Sequence, residues 1–219
     1  MGQEIDLLIN YPKAKRNLEE RVNNKTEEDR EIARKFGKEF FDGDRKHGYG
    51  GLNYNPIYWG NVTKTFKDHW ELNSESTILD VGCAKGFMMN DFNQLIPGIK
   101  IRGIDISEYA IKNTIDTMKH NTQVGDAKNI PYEDNSFDYV ISINTIHNLE
   151  EEDCAQSLRE IERVSKKGAF ITVDAYNNKE EKNRMFKWNL TAKTILSVQE
   201  WKELFKINKF SGDYYWFIP

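Results

Sequence analysis

Short apolar runs and amphipathic stretches alternate along the chain from residue 77 onward. Six apolar runs predict strands, at residues 78–81, 99–104, 123–125, 137–143, 170–173 and 214–218. Four stretches with apolar residues at helical spacing predict helices, at residues 86–95, 107–120, 151–165 and 199–205. This βαβ alternation predicts an α/β fold, with a doubly wound, mostly parallel sheet and helices on both faces. The pattern also allows an antiparallel last strand.

The N-terminal segment before this alternation carries a helical pattern of its own. Ile32, Phe36 and Phe40 recur at four-residue intervals, and the capping signal that begins at Thr26 precedes them. Residues four positions apart lie on the same face of a helix. These positions therefore predict one amphipathic helix, which Gly43 ends.

A glycine-rich stretch at residues 41–54 lies between this helix and a second one, which the same spacing predicts over residues 62–70. Glycines lose much conformational entropy on folding, so a cluster of them among Asp, Arg, His and Tyr favours a loop that closes over a site. A plain surface loop is the alternative. Turn-forming residues 73–76 mark a boundary. We therefore predict an N-terminal helical lid segment with a glycine loop at residues 1–72 and a ligand-binding domain at residues 73–219.

Length and composition fit one α/β domain with a modest appendage. The chain has 219 residues, of which 38% are hydrophobic and 30% are charged. This balance excludes a disordered chain, and no apolar run approaches the roughly 20 residues that span a bilayer. A formal net charge of −4 argues against a protein that neutralises many nucleic-acid phosphates. We expect a small-molecule substrate, no nucleic acid and no membrane partner.

Cysteine and histidine usage indicates the compartment. Cys83 and Cys154 form no CxxC pair, and the four histidines are dispersed along the sequence. Neither a disulfide framework nor a metal site is predicted. The first residues lack a basic and then apolar leader, so we expect a cytoplasmic protein in a reducing compartment. The sequence leaves the oligomeric state open between a monomer and a homodimer.

The sharpest chemical feature is a glycine-containing turn that follows the first strand of the alternation. Gly82 lets the backbone turn tightly, and Gly86 with the small Ala84 lets a ligand approach the main chain closely. Many strand-to-helix turns need such residues for packing alone, which is the alternative interpretation. The ligand-binding candidates at this turn are Asp80, Gly82, Cys83, Ala84, Gly86 and Phe87.

Acidic residues end the next two predicted strands. Asp105 ends the second strand, where a carboxylate can accept hydrogen bonds from two ribose hydroxyls. A helix N-cap is the alternative role, although Ser107 suits that position better. Asp126 and Ala127 end the third strand, where a carboxylate can accept a hydrogen bond from an adenine amino group. Since ligands of open α/β sheets bind beyond the carboxyl ends of the strands, these residues and Ile106 predict an adenosine site.

Together these motifs resemble those of the class I S-adenosylmethionine-dependent methyltransferases. The DVGCGxG-like first motif of that family corresponds to residues 80–86, and its GDAxxLPFxDxSFD-like region corresponds to residues 125–138. The resemblance covers residues 75–175 and a terminal EWKELF segment at residues 200–205. One departure is Ala84, a small side chain of little cost where the family often has its middle glycine.

The resemblance implies a Rossmann-like fold, with S-adenosyl-L-methionine as cofactor and S-adenosyl-L-homocysteine as product. It also implies that Asp105 holds the ribose, that Asp126 and Ala127 hold the adenine, and that the glycine turn holds the methionine portion. A dinucleotide-dependent dehydrogenase is the competing Rossmann interpretation. It is weakened because the strict GxGxxG motif is absent, with only Gly82 and Gly86 in the window.

The segment after the fourth strand is similar to the family segment that lines the floor beneath the transferable methyl group. Asn144 and His147 are therefore the candidate catalytic residues. Asn144 would orient the acceptor or contact the cofactor. His147, whose ordinary pKa is about 6.5, could remove the proton of a hydroxyl acceptor. The alternative is that His147 is a polar residue at a helix start, satisfied by the backbone.

The lid segment and the C-terminal third supply further candidates. Arg45 could pair with the cofactor carboxylate or with an anionic substrate, and Tyr49 or Tyr54 could cover the sulfonium with a ring face. The chain also resembles small bacterial methyltransferases that act on sugars or small metabolites of surface polysaccharides. That resemblance makes four more residues substrate-pocket candidates, with a core position as the alternative for each: Asp174, Tyr176, Trp188 and Thr191.

These observations predict a methyltransferase that transfers a methyl group to an oxygen or nitrogen of a small polar metabolite, such as a sugar or a surface-polysaccharide precursor. Two alternatives stay open. One is methylation of RNA or protein, which the absence of a basic tail disfavours. The other is a non-catalytic module that binds S-adenosylmethionine or a partner.

Overall fold

The computed structural model describes residues 2–12 and 25–218, and residues 13–24 of the predicted lid segment lie outside this part. Within the described part the chain forms eight α-helices: α1 (Glu27–Ala33), α2 (Lys38–Asp42), α3 (Pro56–Trp70), α4 (Phe87–Leu95), α5 (Glu108–Lys112), α6 (Glu151–Val164), α7 (Lys179–Trp188) and α8 (Val198–Ile207). The same part forms seven strands: β1 (Thr77–Val81), β2 (Lys100–Asp105), β3 (Thr122–Val124), β4 (Phe137–Ile143), β5 (Ser165–Tyr176), β6 (Leu196–Ser197) and β7 (Asp213–Phe217).

The strands form one parallel sheet in the order β3, β2, β1, β4, β5, with β7 and the short β6 both paired to β5. β1 lies at the centre, where Leu79 pairs with Arg102 of β2 on one side and with Val140 of β4 on the other. The strand order reverses at β1. In open α/β sheets, such a switch point leaves a crevice at the carboxyl ends of the strands, where ligands bind.

The last strand runs parallel to its neighbour. Phe170 of β5 lies opposite Asp213 of β7, and Val173 lies opposite Trp216. The antiparallel last strand that the sequence allows is therefore wrong. The connection explains the difference, because α8 carries the chain back along the sheet before β7 begins, and a helical crossover joins parallel strands. The doubly wound, mostly parallel sheet is confirmed.

Two hydrophobic cores cover the two faces of the sheet. On one face, Leu79 of β1 belongs to a buried cluster with Leu158 of α6. On the other face, Ile78 of β1 belongs to a cluster with Phe66 of α3 and Phe92 of α4. Because successive residues of a strand point to opposite faces, β1 supplies both cores. A strand covered on both faces needs the near-continuous apolar run that the sequence has here.

The N-terminal segment divides between the core and the carboxyl edge of the sheet. Helix α3 packs on the sheet, and the centroids of the Phe66 and Phe92 rings lie 6.0 Å apart. Helices α1 and α2 lie instead beside the turn between β2 and α5, where the Ser107 hydroxyl donates to the Phe36 carbonyl. The division of the chain after residue 72 stays a prediction.

The helix predicted from Ile32 to Gly43 is two helices, α1 and α2. Phe36 interrupts it with a left-handed backbone, at a φ of 48°. The Ser107 hydroxyl stabilises this break through the Phe36 carbonyl. The predicted start is confirmed, because Thr26 and Asp29 form a capping box. Gly43 follows the last residue of α2, as predicted.

The helix predicted over residues 107–120 is shorter. Helix α5 ends at Lys112, and one 3₁₀ turn follows at Asp116–Met118. The helix stops because the Ile115 N–H donates to the carbonyl of Lys85, at 3.0 Å, instead of continuing the helical pattern. This contact ties the end of α5 to the glycine turn.

Helix α7 occupies a polar stretch that the hydrophobic pattern assigns to no element. Its start is fixed by Asn178, whose side chain accepts a hydrogen bond from the Glu181 N–H. Of the helices in the described chain, none combines the length and the apolar character needed to cross a membrane.

Candidate functional site

The glycine turn joins β1 to α4 at the carboxyl edge of the sheet, beside the switch point. Its backbone is left-handed at three positions, with φ of 88° at Gly82, 48° at Ala84 and 74° at Gly86. The N–H groups of Gly82 and Cys83 donate to the Ile104 carbonyl at 2.8 and 3.0 Å. A Cβ at Gly82 would overlap the Thr145 side chain. A Cβ at Gly86 would also lie within 3.2 Å of the Thr114 side chain, so packing inside the protein accounts for both glycines. Close approach of a ligand to this main chain stays a prediction.

The conformation of Ala84 has a larger energetic cost than the small size of its side chain suggests. A left-handed backbone costs a non-glycine residue about 1–2 kcal/mol. The Ala84 N–H donates to Asp105 Oδ2 at 2.8 Å, and this charge-assisted hydrogen bond offsets part of that strain. The turn and the end of β2 are thus held together by the carboxylate that the sequence assigns to the ribose.

Asp105 carries hydrogen bonds on both carboxylate oxygens. Oδ2 accepts from Ala84 and Oδ1 accepts from the Ser107 N–H, each at 2.8 Å. Burial raises the pKa of Asp105, whereas these two N–H groups oppose that rise. Ser107, not Asp105, caps α5, because its side chain accepts from Ala110 N–H at 3.0 Å. Each oxygen of Asp105 retains a second lone pair, which suits two ribose hydroxyls, and the adjacent Ile106 side chain is exposed.

Asp80 is a buried carboxyl group at the end of β1. Burial raises its pKa to about 8, and the neighbouring charge of Asp105 contributes. Burial also raises the pKa of the adjacent Cys83 thiol. Cys83 is thus a protonated packing residue, and a cationic ligand beside Asp80 would stabilise the ionised carboxylate. Phe87 begins α4, and its ring lies 5.7 Å from the Tyr54 ring.

Asp126 and Ala127 lie after β3, as predicted. Asp126 Oδ1 accepts from the Lys128 N–H at 2.9 Å, which fixes the carboxylate in the turn. Ala127 is partly buried against the core. The Lys128 ammonium lies 3.1 Å from Asp153 and 3.9 Å from Asp126. An adenine contact for Asp126 and Ala127 stays a prediction.

Asn144 and His147 lie in the loop after β4. Asn144 has a left-handed backbone with a φ of 51°, and its side-chain oxygen accepts from the Thr172 hydroxyl at 2.9 Å. His147 is buried, and its Nδ1 accepts from the Asp174 N–H at 2.9 Å. Burial lowers the pKa of His147, and Asp174 opposes this shift. A neutral His147 therefore carries its proton on Nε2, which argues against the general-base hypothesis and supports the backbone-satisfied alternative.

Asp174 is part of the same buried cluster. It is 3% exposed, its Oδ2 accepts from the Asn189 side-chain amide, and its carbonyl accepts from Trp201 Nε1 at 2.9 Å. Hydrogen bonds inside the protein engage the N–H, Oδ2 and carbonyl of Asp174, and its substrate-pocket role stays a prediction. The sequence did not point to Asn189, since no local motif marks an amide that reaches a strand 15 residues earlier.

The other substrate-pocket candidates lie near α7. The Tyr176 hydroxyl donates to Glu200 at 3.3 Å, and the Trp188 ring stacks on the Phe217 ring at 4.8 Å between centroids. Thr191 is partly buried in the loop after α7. The Tyr176 hydrogen bond and the Trp188 ring contact named here link α7 and the end of β5 to α8 and β7. Their substrate role stays a prediction.

The glycine loop is fastened to the glycine turn by residues that sequence analysis did not assign. The Lys85 ammonium contacts both carboxylate oxygens of Asp42 at 2.7 Å and donates to the Leu52 carbonyl at 2.9 Å. The Tyr109 hydroxyl also donates to Asp42, at 2.7 Å. The sequence shows a lysine inside the glycine turn and an aspartate inside the loop, but it does not pair them.

The three lid residues chosen from the sequence make contacts within the N-terminal segment or to α4. Arg45 donates to the Tyr49 carbonyl inside the loop. The Tyr49 ring packs against Phe40, at 5.2 Å between centroids. The Tyr54 hydroxyl donates to the carboxylate of Asp91 in α4. Cofactor or substrate contacts by Arg45, Tyr49 and Tyr54 stay predictions.

Known proteins share this arrangement. The family model described as "Methyltransferase domain" matches residues 72–212. The tRNA (carboxymethyluridine(34)-5-O)-methyltransferase of Arabidopsis thaliana is 35% identical over 133 residues, which are 59% of this chain and 31% of that protein. The demethylmenaquinone methyltransferase of Staphylococcus haemolyticus is 37% identical over 76 residues, which are 33% of this chain and 31% of that protein.

Solved structures share the fold. Phosphoethanolamine N-methyltransferase 2 of Haemonchus contortus, in complex with phosphomonomethylethanolamine and S-adenosylhomocysteine, gives a TM-score of 0.59 at 18% identity, over 80% of this chain and 44% of that chain. The YcgJ protein of Bacillus subtilis gives a TM-score of 0.55 at 21% identity, over 67% of this chain and 66% of that chain. At these identities the likeness concerns the fold alone.

The chain therefore belongs to the methyltransferase-domain family, and residues 72–212 form a class I methyltransferase domain whose cofactor is S-adenosyl-L-methionine. It spans between 27% and 35% of the length of the first curated relatives that it matches. The acceptor of the methyl group does not follow from these relatives, because their names specify three different acceptors: a tRNA, norajmaline and demethylmenaquinone.

The residues at the carboxyl edge fit this cofactor. Burial raises the pKa of Asp80 to about 8, so a cationic group of the cofactor beside it would favour the ionised carboxylate. Asp105 retains a lone pair on each oxygen for the ribose hydroxyls, while it accepts from the Ala84 N–H of the glycine turn and from the Ser107 N–H. When bound, the cofactor supplies an electrophilic methyl group on a sulfonium. Asp80, Asp105 and the main chain of the glycine turn are the residues that would hold and orient it.

Proposed function

We propose that this domain transfers the methyl group of S-adenosylmethionine to an oxygen or nitrogen of a small polar metabolite that the glycine loop encloses. The observation that carries the proposal is the contact between the buried Lys85 of the glycine turn and the partly buried Asp42 of the lid segment. It fastens a loop directly beside the cofactor turn. A site covered in this way suits a small acceptor better than an exposed macromolecular surface.

Nitrogen is the better acceptor of the two. A hydroxyl acceptor, such as that of a sugar in a polysaccharide precursor, needs a base to remove its proton. The Nδ1 lone pair of His147 is already used by the Asp174 N–H, and Nε2 carries the proton. A nitrogen that arrives neutral needs no such base. An amine is therefore favoured, and a sugar hydroxyl remains the second candidate.

Methylation of RNA is the main competing function. It is the activity named for the Arabidopsis relative. Against it stands the acidic run Glu150, Glu151, Glu152 and Asp153. This run follows the carboxyl end of β4 and begins α6. It therefore places negative charge near the carboxyl edge of the sheet, where we propose that the cofactor binds. Phosphates would be repelled there.

Calorimetric titration and a methyl-transfer assay test the proposal together. We expect wild-type protein to bind S-adenosylmethionine and S-adenosylhomocysteine but not NADH, and Asp105→Ala to weaken that binding by a loss of about 1.5–3 kcal/mol of charge-assisted hydrogen bonding. Radiolabelled methyl groups should then appear on small amines in an acceptor panel that also holds sugars, carboxylates, tRNA and a protein mixture. Binding with no transfer to any acceptor would favour a non-catalytic module.

The His147→Asn variant separates nitrogen from oxygen chemistry in the same assay. The asparagine side chain can still accept the Asp174 N–H, so we expect the variant to fold and to keep an unchanged pH profile of kcat. A general base at position 147 would behave differently, because its loss would remove the acidic limb of that profile. Such a loss, together with transfer to hydroxyl acceptors, would reverse the preference for nitrogen.

A further inference from the structure

The glycine loop is a closed loop whose base contains a residue from the cofactor turn. The Leu52 N–H donates to Asp42 Oδ1 at 3.0 Å and so brings the two ends of the loop together. Lys85 then contacts both Asp42 and the Leu52 carbonyl. Surface loops with adjoining ends are compact units. Here the Lys85 side chain, which lies outside the glycine loop, completes the unit.

Lys85 is placed so that a conformational change in the glycine loop can alter the glycine turn, and a change in the turn can alter the loop. Its side chain is 8% exposed, so its ammonium depends on Asp42 and Leu52 for compensation. Its backbone lies between the left-handed Ala84 and Gly86. Its carbonyl accepts from the Ile115 N–H at 3.0 Å. The direction of the lysine side chain is therefore coupled to the conformation of the turn that holds the cofactor.

A second set of contacts fixes both flanks of the loop to the same region. At one flank, the Tyr109 hydroxyl of α5 donates to Asp42, and the Phe41 and Tyr109 rings lie 6.3 Å apart. At the other flank, Tyr54 donates to Asp91 of α4. These contacts join the loop to α5 and α4, the helices that follow β2 and β1. Asp105 and Asp80 lie at the carboxyl ends of those two strands.

We propose that Lys85 is a positioning residue that couples the order of the glycine loop, residues 43–51, to the binding of S-adenosylmethionine at the turn. This inference rests on the proposed function for its cofactor-dependent step. Lys85 acts through Asp42 and does not touch the reacting methyl group. Because coupling between two sites is reciprocal, an ordered loop raises cofactor affinity, and bound cofactor orders the loop.

The rate at which trypsin cleaves the glycine loop measures this coupling. Arg45 and Lys46 are exposed within the loop, and mass spectrometry assigns the cut to them. In wild-type protein, we expect saturating S-adenosylmethionine to slow this cut about tenfold, since local opening controls cleavage when opening is fast. Lys85→Met should lose that protection and should bind the cofactor about tenfold more weakly. Lys119→Met, which removes an exposed lysine paired with Asp116, is the matched control and should behave as wild type.

The double variant Lys85→Met with Asp42→Asn distinguishes coupling from simple destabilisation. Lys85→Met alone leaves a partly buried carboxylate unpaired and should lower the thermal midpoint, whereas removing both charges should restore it. We expect the double variant to recover stability but to remain without cofactor-dependent protection. Protection or affinity at the wild-type level in the double variant would overturn the inference.

The two proposals fail in different ways. If wild-type protein binds S-adenosylmethionine but the loop is cut equally fast with and without it, the coupling is wrong and the proposed function stands. If the cofactor protects the loop through Lys85 but no acceptor is methylated, the proposed function is wrong and the coupling stands. Absence of cofactor binding to wild-type protein would overturn both.

Discussion

The raised pKa of the Asp80 carboxyl predicts that cofactor binding depends on pH. Its pKa of about 8 in the free protein is far above the ordinary value of 3.8, so the folded ligand-free chain holds this proton when the unfolded chain has released it. The contribution of Asp80 to the free energy of unfolding therefore falls as pH rises between these two values. A bound cation favours the ionised form and lowers the pKa again, so binding releases a proton.

We expect the affinity for S-adenosylmethionine to rise with pH, by up to about tenfold per unit from about pH 6 to about pH 7.5, where the amino group of the ligand is still protonated. Calorimetry in buffers of different ionisation enthalpy would measure both the affinity and the released proton. Asp80→Asn removes the titrating group and should give a flat profile without proton release. An equally flat profile in wild-type protein would mean that Asp80 does not face the cofactor charge.

Single residues were predictable where a local motif names them. Asp105 and Gly82 follow from the order of strand, turn and helix, and the structure gives them the expected places at the carboxyl edge. The tautomer of His147 did not follow, because it depends on an N–H group 27 residues later. The pairing of Lys85 with Asp42, 43 residues apart, was hidden for the same reason. Such contacts are set by tertiary packing, which a local pattern does not contain.

The glycine turn tolerates little change at Gly82. Gly82→Ala would place a Cβ against Thr145 and strain a φ of 88°. We expect it to lower the free energy of unfolding by more than the ~1–2 kcal/mol of left-handed strain alone and to abolish cofactor binding. Gly60→Ala is the matched control, because a Cβ there meets nothing within 4 Å, and it should stabilise helix α3 by about 0.5–1 kcal/mol. Urea unfolding of both variants checks this, and equal effects would remove the special role of the turn.

The sequence predicted some helices and strands correctly and missed others. The α3, α4 and α6 segments were found because their apolar residues repeat at helical spacing over two turns or more. The break at Phe36 was missed because its cause is a hydrogen bond from Ser107, far along the chain. Helix α7 was missed because its face toward the sheet buries little beyond Met185. The parallel direction of β7 depends on how α8 crosses the sheet, which the strand pattern does not specify.

At the scale of the whole molecule, the sequence identifies the cofactor half of the site far better than the acceptor half. The cofactor half consists of strand ends and one turn, which the alternation of strands and helices places at one edge. The glycine loop contacts the glycine turn through Lys85 and Asp42, which lie 43 residues apart in the sequence. The predicted acceptor half consists of this loop, the loop after β4 and the region of α7. Their side chains vary in role with each acceptor, so no motif fixes them.

The charge of the molecule favours a small acceptor over RNA. The chain carries a net charge of −4, and of the four consecutive acidic residues at positions 150–153, Glu150 and Asp153 each lie 3.1 Å from a lysine while Glu151 and Glu152 are exposed. We therefore expect tRNA to bind no more tightly than about 100 µM at physiological salt, the weak end of non-specific binding. Fluorescence anisotropy with labelled, unmodified tRNA measures this, with a basic tRNA-binding protein as the positive control. A micromolar affinity that falls steeply between about 50 and 200 mM salt would show contacts with phosphates. RNA would then replace a small metabolite as the favoured methyl acceptor.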